Sequence, residues 1–101
     1  MSTHVMIEYK TKPGRADELI SRLGRVLPDA LKHEGCGGVW VRMNQDDPTN
    51  VISLSQWTTR GHYEMYLAWR TERGDRESFE EMLTEPMAVR YFDEIDFAQR
   101  Q

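Results

Sequence analysis

Apolar residues recur along this 101-residue chain with two different spacings, and the order of those spacings constrains the fold most strongly. Apolar side chains recur at every second residue in four short segments, which is the period of a β-strand. Between them the apolar positions recur at intervals of three and four, which is the period of an amphipathic helix. The segments follow the order strand, helix, strand, strand, helix, short helix, strand. We therefore expect an α+β protein with a four-stranded antiparallel sheet and its helices on one face.

The element boundaries follow from turn residues and helix caps. Strands are predicted over residues 5–9, 39–44, 51–57 and 89–97. A first helix is predicted from residue 15 to Leu31, kinked at Pro28 because proline lacks the N–H that would bond to the carbonyl of Gly24. The glycine-rich stretch 35–38 reads as a turn. A second helix, capped by Thr58 or Thr59, should end near Gly74, and a short third helix over 75–83 should be capped by Asp75. This arrangement is ferredoxin-like.

Three of the predicted strands carry apolar side chains on both faces. The apolar residues on opposite faces are Met6 against Val5 and Ile7, Trp40 against Val39 and Val41, and Phe92 against Val89, Tyr91 and Ile95. Burying a side chain of this size contributes roughly 1.5–3 kcal/mol to stability, and a side chain left in water does not make that contribution. A second copy packed sheet to sheet would bury them, so we expect a homodimer. The alternative is that these are isolated surface residues, which are common.

Composition excludes several classes of function. The net charge of −4 argues against a nucleic-acid partner, because phosphate binding needs a basic surface. No segment approaches the roughly 20 apolar residues that span a bilayer, and the first four residues do not resemble a signal peptide. The single Cys36 cannot form an internal disulfide, which favours a cytoplasmic location. His33 and Cys36 lack a second ligand pair, so no metal site is expected. We expect one domain over residues 1–101, with its core at about 5–97.

Four short motifs, in order, resemble those of the antibiotic biosynthesis monooxygenase family, a branch of the dimeric α/β barrels. They are Lys12-Pro13-Gly14, Glu34-Gly35-Cys36, Asp47-Pro48 and Gln56-Trp57-Thr58-Thr59. The resemblance covers nearly the whole chain and implies the ferredoxin-like fold and its dimeric barrel. Some members oxidise phenols, quinols or anthrones with dioxygen and no cofactor. Others degrade haem, act as isomerases or have no known activity.

Individual positions refine what the resemblance implies. Trp57, followed six residues later by Tyr63, matches members that oxidise anthrones. Where those members have an asparagine and an arginine, this chain has Ser53 and Glu77, with Arg76 adjacent. Haem-degrading members have a histidine where this chain reads Tyr66-Leu67, and an asparagine where it has Glu8. The resemblance therefore implies a cofactor-independent enzyme and not a haem enzyme.

Cofactor-free oxygenation needs an apolar cavity, a group that handles a proton and donors for a developing oxyanion. Residues spaced by three and four on the second helix share one face, and they mix apolar and polar groups as ligand pockets do. We hypothesise that Tyr63 and Arg70 hold the oxyanion and that His62 or Tyr66 handles the proton. The residues predicted to bind a small aromatic ligand are Trp57, Leu67, Tyr66 and Ser53. The alternatives are that the tyrosines are core residues, that the protein is a non-catalytic binding module, or that it is an isomerase or cyclase.

Overall fold

The computed structural model describes residues 2–95 and 97. Its strands are β1 (Thr3–Lys10), β2 (Cys36–Met43), β3 (Asn50–Trp57) and β4 (Ala88–Asp93), and its helices are α1 (Ala16–Ala30), α2 (Arg60–Glu72) and α3 (Asp75–Glu80). The strands form one antiparallel sheet in the order β2-β3-β1-β4. The predicted α+β, ferredoxin-like fold is confirmed.

Helix α1 continues through Pro28, which lies in its last turn. Leu19 and Leu23 are buried, as their spacing predicts. The helix ends at Ala30, and Leu31, which the apolar pattern placed on the buried stripe, is 56% exposed. That part of the prediction is wrong: Leu31 is the cap residue after the last helical residue, and the buried residue at this end of the helix is Ala30.

The glycine-rich stretch before β2 is not simply a turn. Only Gly35 in it has a positive φ, of 87°, and β2 already begins at Cys36. The pairing with β3 shifts between Cys36 and Gly38, as at a β-bulge. The following hairpin is closed by Asp47, whose carboxylate accepts hydrogen bonds from the N–H and the hydroxyl of Thr49.

The predicted boundaries near the C-terminus are wrong at the end of the last strand and at both ends of helix α3, which spans Asp75–Glu80 and not 75–83. Strand β4 ends at Asp93, which pairs with Thr3, the first residue of β1. The predicted strand extended to Phe97; Phe97 is 75% exposed, and Asp96 lies outside the described residues. Helix α3 has Gly74 (φ 80°) as its cap residue, and Asp75 is its first residue. The Asp75 carboxylate is used elsewhere, by Arg70.

The helices cover one face of the sheet. That face presents Val5, Tyr9, Val51 and Trp57, which are all almost fully buried. Two apolar clusters fill the layer between sheet and helices, one around Leu19, Leu23 and Met82 and the other around Trp57 and the α2 tyrosines. Among the described residues, no helix is long and apolar enough to cross a membrane.

The opposite face of the sheet carries a second apolar row. The register places Leu54 between Met6 on one side and Trp40 on the other, and Phe92 opposite His4. Trp40 and Phe92 are 42% and 47% exposed. The prediction that strands carry apolar side chains on both faces is therefore confirmed for β1, β2 and β4. We call this surface the outer sheet face.

Candidate functional site

A cavity of about 60 Å³ lies between the sheet and the helices. Its walls are contributed by β1, β2, β3 and all three helices, and they are mostly aliphatic and aromatic. The lining residues with polar atoms are Tyr9, Ser53, Ser55, Trp57, Tyr63, Tyr66, Arg70, Asp75 and Arg76. A cavity of about 10–15 Å³ already holds one water, so this space is more than a packing defect.

Most residues singled out in the sequence meet at this cavity. Ser53 and Trp57 reach it from β3, and the α2 residues Tyr63, Tyr66, Leu67 and Arg70 reach it from the other side. They converge because every second side chain of β3 points toward the helices, and residues three or four apart on α2 share the helix face that points toward the sheet. His62 is not among the lining residues.

The hydroxyl of Tyr63 is the most unusual polar group in the cavity. Tyr63 is 1% exposed, and its Oη atom has no hydrogen-bond partner among the described residues. Its ring packs edge-on against Trp57 and Tyr91, with centroids 5.7 and 5.8 Å away. Burial raises the pKa of Tyr63, so the phenol stays protonated at neutral pH. A buried hydroxyl without a partner is costly, and a ligand oxygen would satisfy it.

Two serines of β3 form hydrogen bonds with the polar atoms of aromatic side chains. Trp57 Nε1 donates to Ser55 Oγ at 2.9 Å, and Tyr9 Oη lies 3.4 Å from Ser53 Oγ. Burial raises the pKa of Tyr9 to about 12. Tyr9 and Ser55 are two residues of the site that are absent from the set predicted from the sequence. The alternation of side chains along a strand could have identified Ser55, because Ser55 points to the same side of the sheet as Ser53 and Trp57.

Arg70 is buried and bonded to three partners. Its Nε donates to Tyr66 Oη at 2.8 Å, its Nη1 donates to Asp75 Oδ2 at 2.9 Å, and its Nη2 donates to the carbonyl of Val26. The guanidinium thus ties α2 to α1 and to the start of α3. Each of its three nitrogens thus has a protein partner, so the geometry favours a bracing role that also positions the Tyr66 hydroxyl over the predicted oxyanion role, for which one N–H on each of Nη1 and Nη2 is left.

Arg76 supplies a second cation at the cavity. It lies one residue before Glu77, where the family resemblance places an arginine, and it lines the cavity from α3. Its positive charge acts to lower the pKa of Tyr63, against the larger effect of burial. Its side chain also forms an ion pair with Glu80, with Nε and Oε1 3.6 Å apart. Arg76 can therefore favour negative charge near the Tyr63 hydroxyl.

His62 has a local structural role. Its Nδ1 lies 2.8 Å from Thr59 Oγ1, and the same oxygen accepts from the His62 backbone N–H, which confirms Thr59 as the cap of α2. The imidazole lies against Gly35, where a Cβ atom would come within 2.5 Å of His62 Cγ. The structure thus places His62 at the joint between α2 and β2 rather than at the cavity.

We expect Gly35→Ala to lower the free energy of unfolding by about 2–3 kcal/mol, because it adds a clash to backbone strain. Gly14→Ala is the matched control: Gly14 has nearly the same φ, 79°, but nothing lies within 4 Å of its Cβ position. It should cost only about 1–2 kcal/mol. Urea denaturation of both variants measures the difference, and equal losses would contradict the close packing of His62 on Gly35.

The remaining candidates lie outside the cavity. His33 packs on Tyr66 and Trp69, with ring centroids 5.0 and 4.7 Å away. Cys36 is half-buried, and burial raises its pKa. Glu8 lies on the outer sheet face, where it accepts a hydrogen bond from Asn50. Within residues 2–95 and 97, no group of three or more His, Cys, Asp or Glu side chains is placed to hold a metal ion.

Solved structures of low sequence identity share this fold. Rv0793 from Mycobacterium tuberculosis is 17% identical, with a TM-score of 0.84 over 98% of this chain and 100% of that one. A monooxygenase from the ActVA-Orf6 gene of Streptomyces coelicolor, solved with the ligand nanaomycin D, is 12% identical, with a TM-score of 0.82 over 99% and 93%. A conserved protein from Methanosarcina mazei Go1 is 17% identical, with a TM-score of 0.82 over 91% of each chain. These likenesses show the fold alone.

The family itself is shown by sequence. No curated protein matches the chain significantly. The family model described as "Antibiotic biosynthesis monooxygenase" matches residues 2–71, which is more than half of the chain and includes β1 through most of α2. The chain belongs to the antibiotic biosynthesis monooxygenase family.

Proposed function

We propose that this protein is a cofactor-independent monooxygenase that oxidises a small aromatic phenol, quinol or anthrone-like substrate with dioxygen. The observation that carries the proposal is the buried, unpartnered Tyr63 hydroxyl in an aromatic cavity beside Trp57. Family membership and the monooxygenase among the structural neighbours support the reaction class. The substrate is proposed from the chemistry of the cavity.

The reaction draws its reactivity from the substrate. A phenol or anthrone loses a proton to become a phenolate or enolate, which passes one electron to dioxygen. The resulting radical pair combines into a carbon–peroxide bond, and loss of water then leaves a new carbonyl. One molecule of dioxygen and one methylene thus give one carbonyl and one water. The protein has to bind the electron-rich ring, exclude bulk water and stabilise the oxyanion.

The described residues can meet those needs. The Tyr63 hydroxyl is free to donate to the substrate oxygen, and Arg76 favours negative charge there. Trp57 and Leu67 form walls against which an aromatic ring can pack. Tyr66, held by Arg70, offers a second hydroxyl. These contacts support Tyr63 with Arg76 as the groups that hold the oxyanion, in place of Tyr63 with Arg70.

The size of the cavity limits the substrate. A cavity of about 150 Å³ holds a benzene ring, whereas this one measures about 60 Å³. A ligand of one or two rings therefore requires side chains to move apart. The flexible side chains on the wall are Leu67, Met87 and Arg76, and the last of these lies on the short helix α3.

One observation favours a second candidate, a ligand-binding module that does not catalyse oxidation. Ser53 stands where the anthrone-oxidising members have an asparagine, and its hydroxyl is engaged with Tyr9. An isomerase or cyclase using the same cavity is distinguished from both, because its turnover would continue without oxygen.

The test is oxygen uptake by the pure protein with a panel of anthrones and naphthohydroquinones. The proposal expects uptake above the buffer rate for at least one compound, with one oxygen consumed per carbonyl formed. Rates equal to the buffer rate across the panel would contradict it. Anaerobic conversion of the same compounds would indicate the isomerase.

We also propose that the protein is a homodimer joined through the outer sheet face. Trp40, Leu54 and Met6 form a row of apolar side chains across this face, which continues to Arg90 on β4; Phe92 lies in the neighbouring row, opposite His4, and Trp40 and Phe92 are substantially exposed. Such a row is more apolar than an antiparallel sheet facing water. A twofold pairing would cover the same row on both copies.

Leu54→Glu should convert the dimer to a monomer, because it places an unpaired carboxylate at the centre of the row. We expect the dimer dissociation constant to rise at least about 100-fold, corresponding to a few kcal/mol for a buried unpaired charge. Met65→Glu is the control, since Met65 is 74% exposed on α2 and should leave the dimer intact. Sedimentation equilibrium measures both; a monomeric wild-type protein would contradict the proposal.

A further inference from the structure

We infer that Asp75 is the general base of the site: one oxygen of its carboxylate is held by arginines, and the other receives the proton that the substrate loses. This inference rests on the proposed function and deepens it, because that reaction begins with the loss of a substrate proton. The observations that carry it are the place of Asp75 on the cavity wall and the hydrogen bonds of its carboxylate.

Asp75 is the strongest proton acceptor on the cavity wall. It supplies the one carboxylate among the described lining residues, and no histidine is among them. Burial raises the pKa of Tyr9, Tyr63 and Tyr66, so these phenols stay protonated near neutral pH. The other polar groups on the wall are serine hydroxyls, an indole N–H and two guanidinium groups, none of which accepts a proton as readily as a carboxylate does.

The two oxygens of the Asp75 carboxylate are used differently. Oδ2 accepts hydrogen bonds from Arg70 Nη1 at 2.9 Å and from Arg73 Nε at 3.3 Å. No hydrogen bond from the described residues reaches Oδ1. An ionised carboxylate can accept on both oxygens, so Oδ1 keeps its acceptor capacity while the bonds to Oδ2 hold the side chain in place.

The Asp75 side chain lies between the cavity and the solvent. It is 23% exposed, whereas the side chain of Arg70, which holds it, is 6% exposed. The carboxylate is therefore fixed from the buried side and can still exchange a proton with water. A general base needs both properties, because it must be positioned against the substrate and must release the proton afterwards.

The base and the proposed oxyanion donor lie at different places along α2. Tyr63 is in the first turn of α2, and Arg70, which holds Asp75, is seven residues later, roughly 10 Å farther along the helix axis. An anthrone matches this separation, because its carbonyl oxygen and its acidic methylene lie on opposite sides of the central ring. A simple phenol does not match it, since one oxygen both loses the proton and carries the charge.

Proton transfer to Asp75 balances in atoms and charge. A carbon–hydrogen bond of the methylene breaks, its proton moves to Asp75 Oδ1, and its electron pair forms the enolate, whose oxygen accepts from Tyr63. After dioxygen has added, the peroxide takes that proton back. Asp75 then removes the second methylene proton as the oxygen–oxygen bond breaks, and it passes this proton to the departing hydroxide, which leaves as water. The carboxylate ends ionised, and dioxygen is the oxidant.

The test measures proton removal in the absence of oxygen. Anthrone is incubated anaerobically with the protein in heavy water, and proton NMR follows the replacement of its methylene hydrogens by deuterium. We expect the wild type to exceed the buffer rate and Asp75→Asn to lose at least about 100-fold of the protein-catalysed rate, which is a usual contribution of general-base catalysis. Asparagine keeps an oxygen that can accept from Arg70, so the contact that braces the helices is retained.

Asp29→Asn is the matched control. Asp29 Oδ2 also lies near the Arg70 guanidinium, 3.8 Å from Nη2, but Asp29 is not among the residues that line the cavity. This variant should keep the wild-type exchange rate. If Asp75 acted only through the charge around Arg70, both variants would lower the rate.

The pH dependence of wild-type exchange is a second readout that needs no variant. A carboxylate base keeps the rate constant between about pH 6 and 8, whereas a histidine base titrates within that range and hydroxide catalysis rises about ten-fold per pH unit. We expect the constant rate. This measurement tests the inference even if Asp75→Asn does not fold.

Wild-type exchange at the buffer rate, full exchange by Asp75→Asn, equal losses in the Asp75 and Asp29 variants, or a rate that rises steeply with pH would each overturn the inference. Exchange that depends on Asp75, without oxygen uptake by any compound of the panel, would overturn only the proposed function. Oxygen uptake that is unchanged in Asp75→Asn would overturn only the inference.

Discussion

Replacing Tyr63 by phenylalanine should nearly abolish oxygen-dependent turnover while leaving the protein slightly more stable. The Tyr63 hydroxyl is buried without a partner, so its removal relieves an unsatisfied polar group and should raise the free energy of unfolding by about 1 kcal/mol. The same hydroxyl is the donor proposed for the substrate oxyanion. Loss of one such donor lowers kcat by about 100-fold or more.

Opposite signs for stability and activity make this prediction specific. A tyrosine that only fills the core would show the stability change without the loss of turnover. Tyr91→Phe serves as the control and should leave oxygen uptake near the wild-type rate, since Tyr91 contacts Tyr63 only through its ring. Oxygen uptake and urea denaturation of both variants provide the two readouts. Full activity of Tyr63→Phe would remove Tyr63 from the mechanism.

Arg70→Ala should cause the largest loss of stability of any substitution considered, about 3 kcal/mol. Arg70 is 5% exposed, and its guanidinium bonds to Tyr66, Asp75 and the carbonyl of Val26. Removing one partner of a buried ion pair typically costs about 3–5 kcal/mol, and the lower figure applies here because Asp75 is partly exposed. The Val26 carbonyl and the Tyr66 hydroxyl would also lose a donor.

Arg73→Ala is the matched control for Arg70. Arg73 also approaches Asp75, at 3.3 Å, but its side chain is 53% exposed. Exposed ion pairs contribute about 1 kcal/mol or less, so Arg73→Ala should be nearly neutral. Arg70→Lys should fall between the two, because lysine keeps the charge and loses the planar fork. Equal stability of the Arg70 and Arg73 variants in urea would show that Arg70 does not brace the helices.

The sequence was sufficient for the parts of the fold that depend on local pattern. Alternation in β1 placed Val5 and Tyr9 on one face, which is the buried one, and spacing on α2 placed Tyr63 and Tyr66 on one face of the helix. The cap at Thr59 was also readable, because a threonine before a helix start has a known bonding role. These features involve residues close together in the chain.

The errors and omissions involve contacts between distant segments. The end of β4 depends on where β1 begins, and the engagement of Arg70 depends on a carbonyl of α1 that is 44 residues away. Spacing on α2 correctly placed Arg70 at the cavity but could not show that its nitrogens were already bonded. Arg76 was noted only as a neighbour of the expected position. Its place at the cavity follows from α3 beginning at Asp75.

The central claim is that a small aromatic ligand binds between the sheet and the helices with its oxygen at Tyr63. A crystal structure of the protein soaked with 1,4-naphthoquinone, an analogue of the proposed product, tests it most directly. We expect the ring beside Trp57, with one quinone oxygen about 3 Å from Tyr63 Oη and neighbouring side chains displaced to make room. A ligand found only on the outer sheet face, or a cavity that stays closed at saturating ligand, would contradict it.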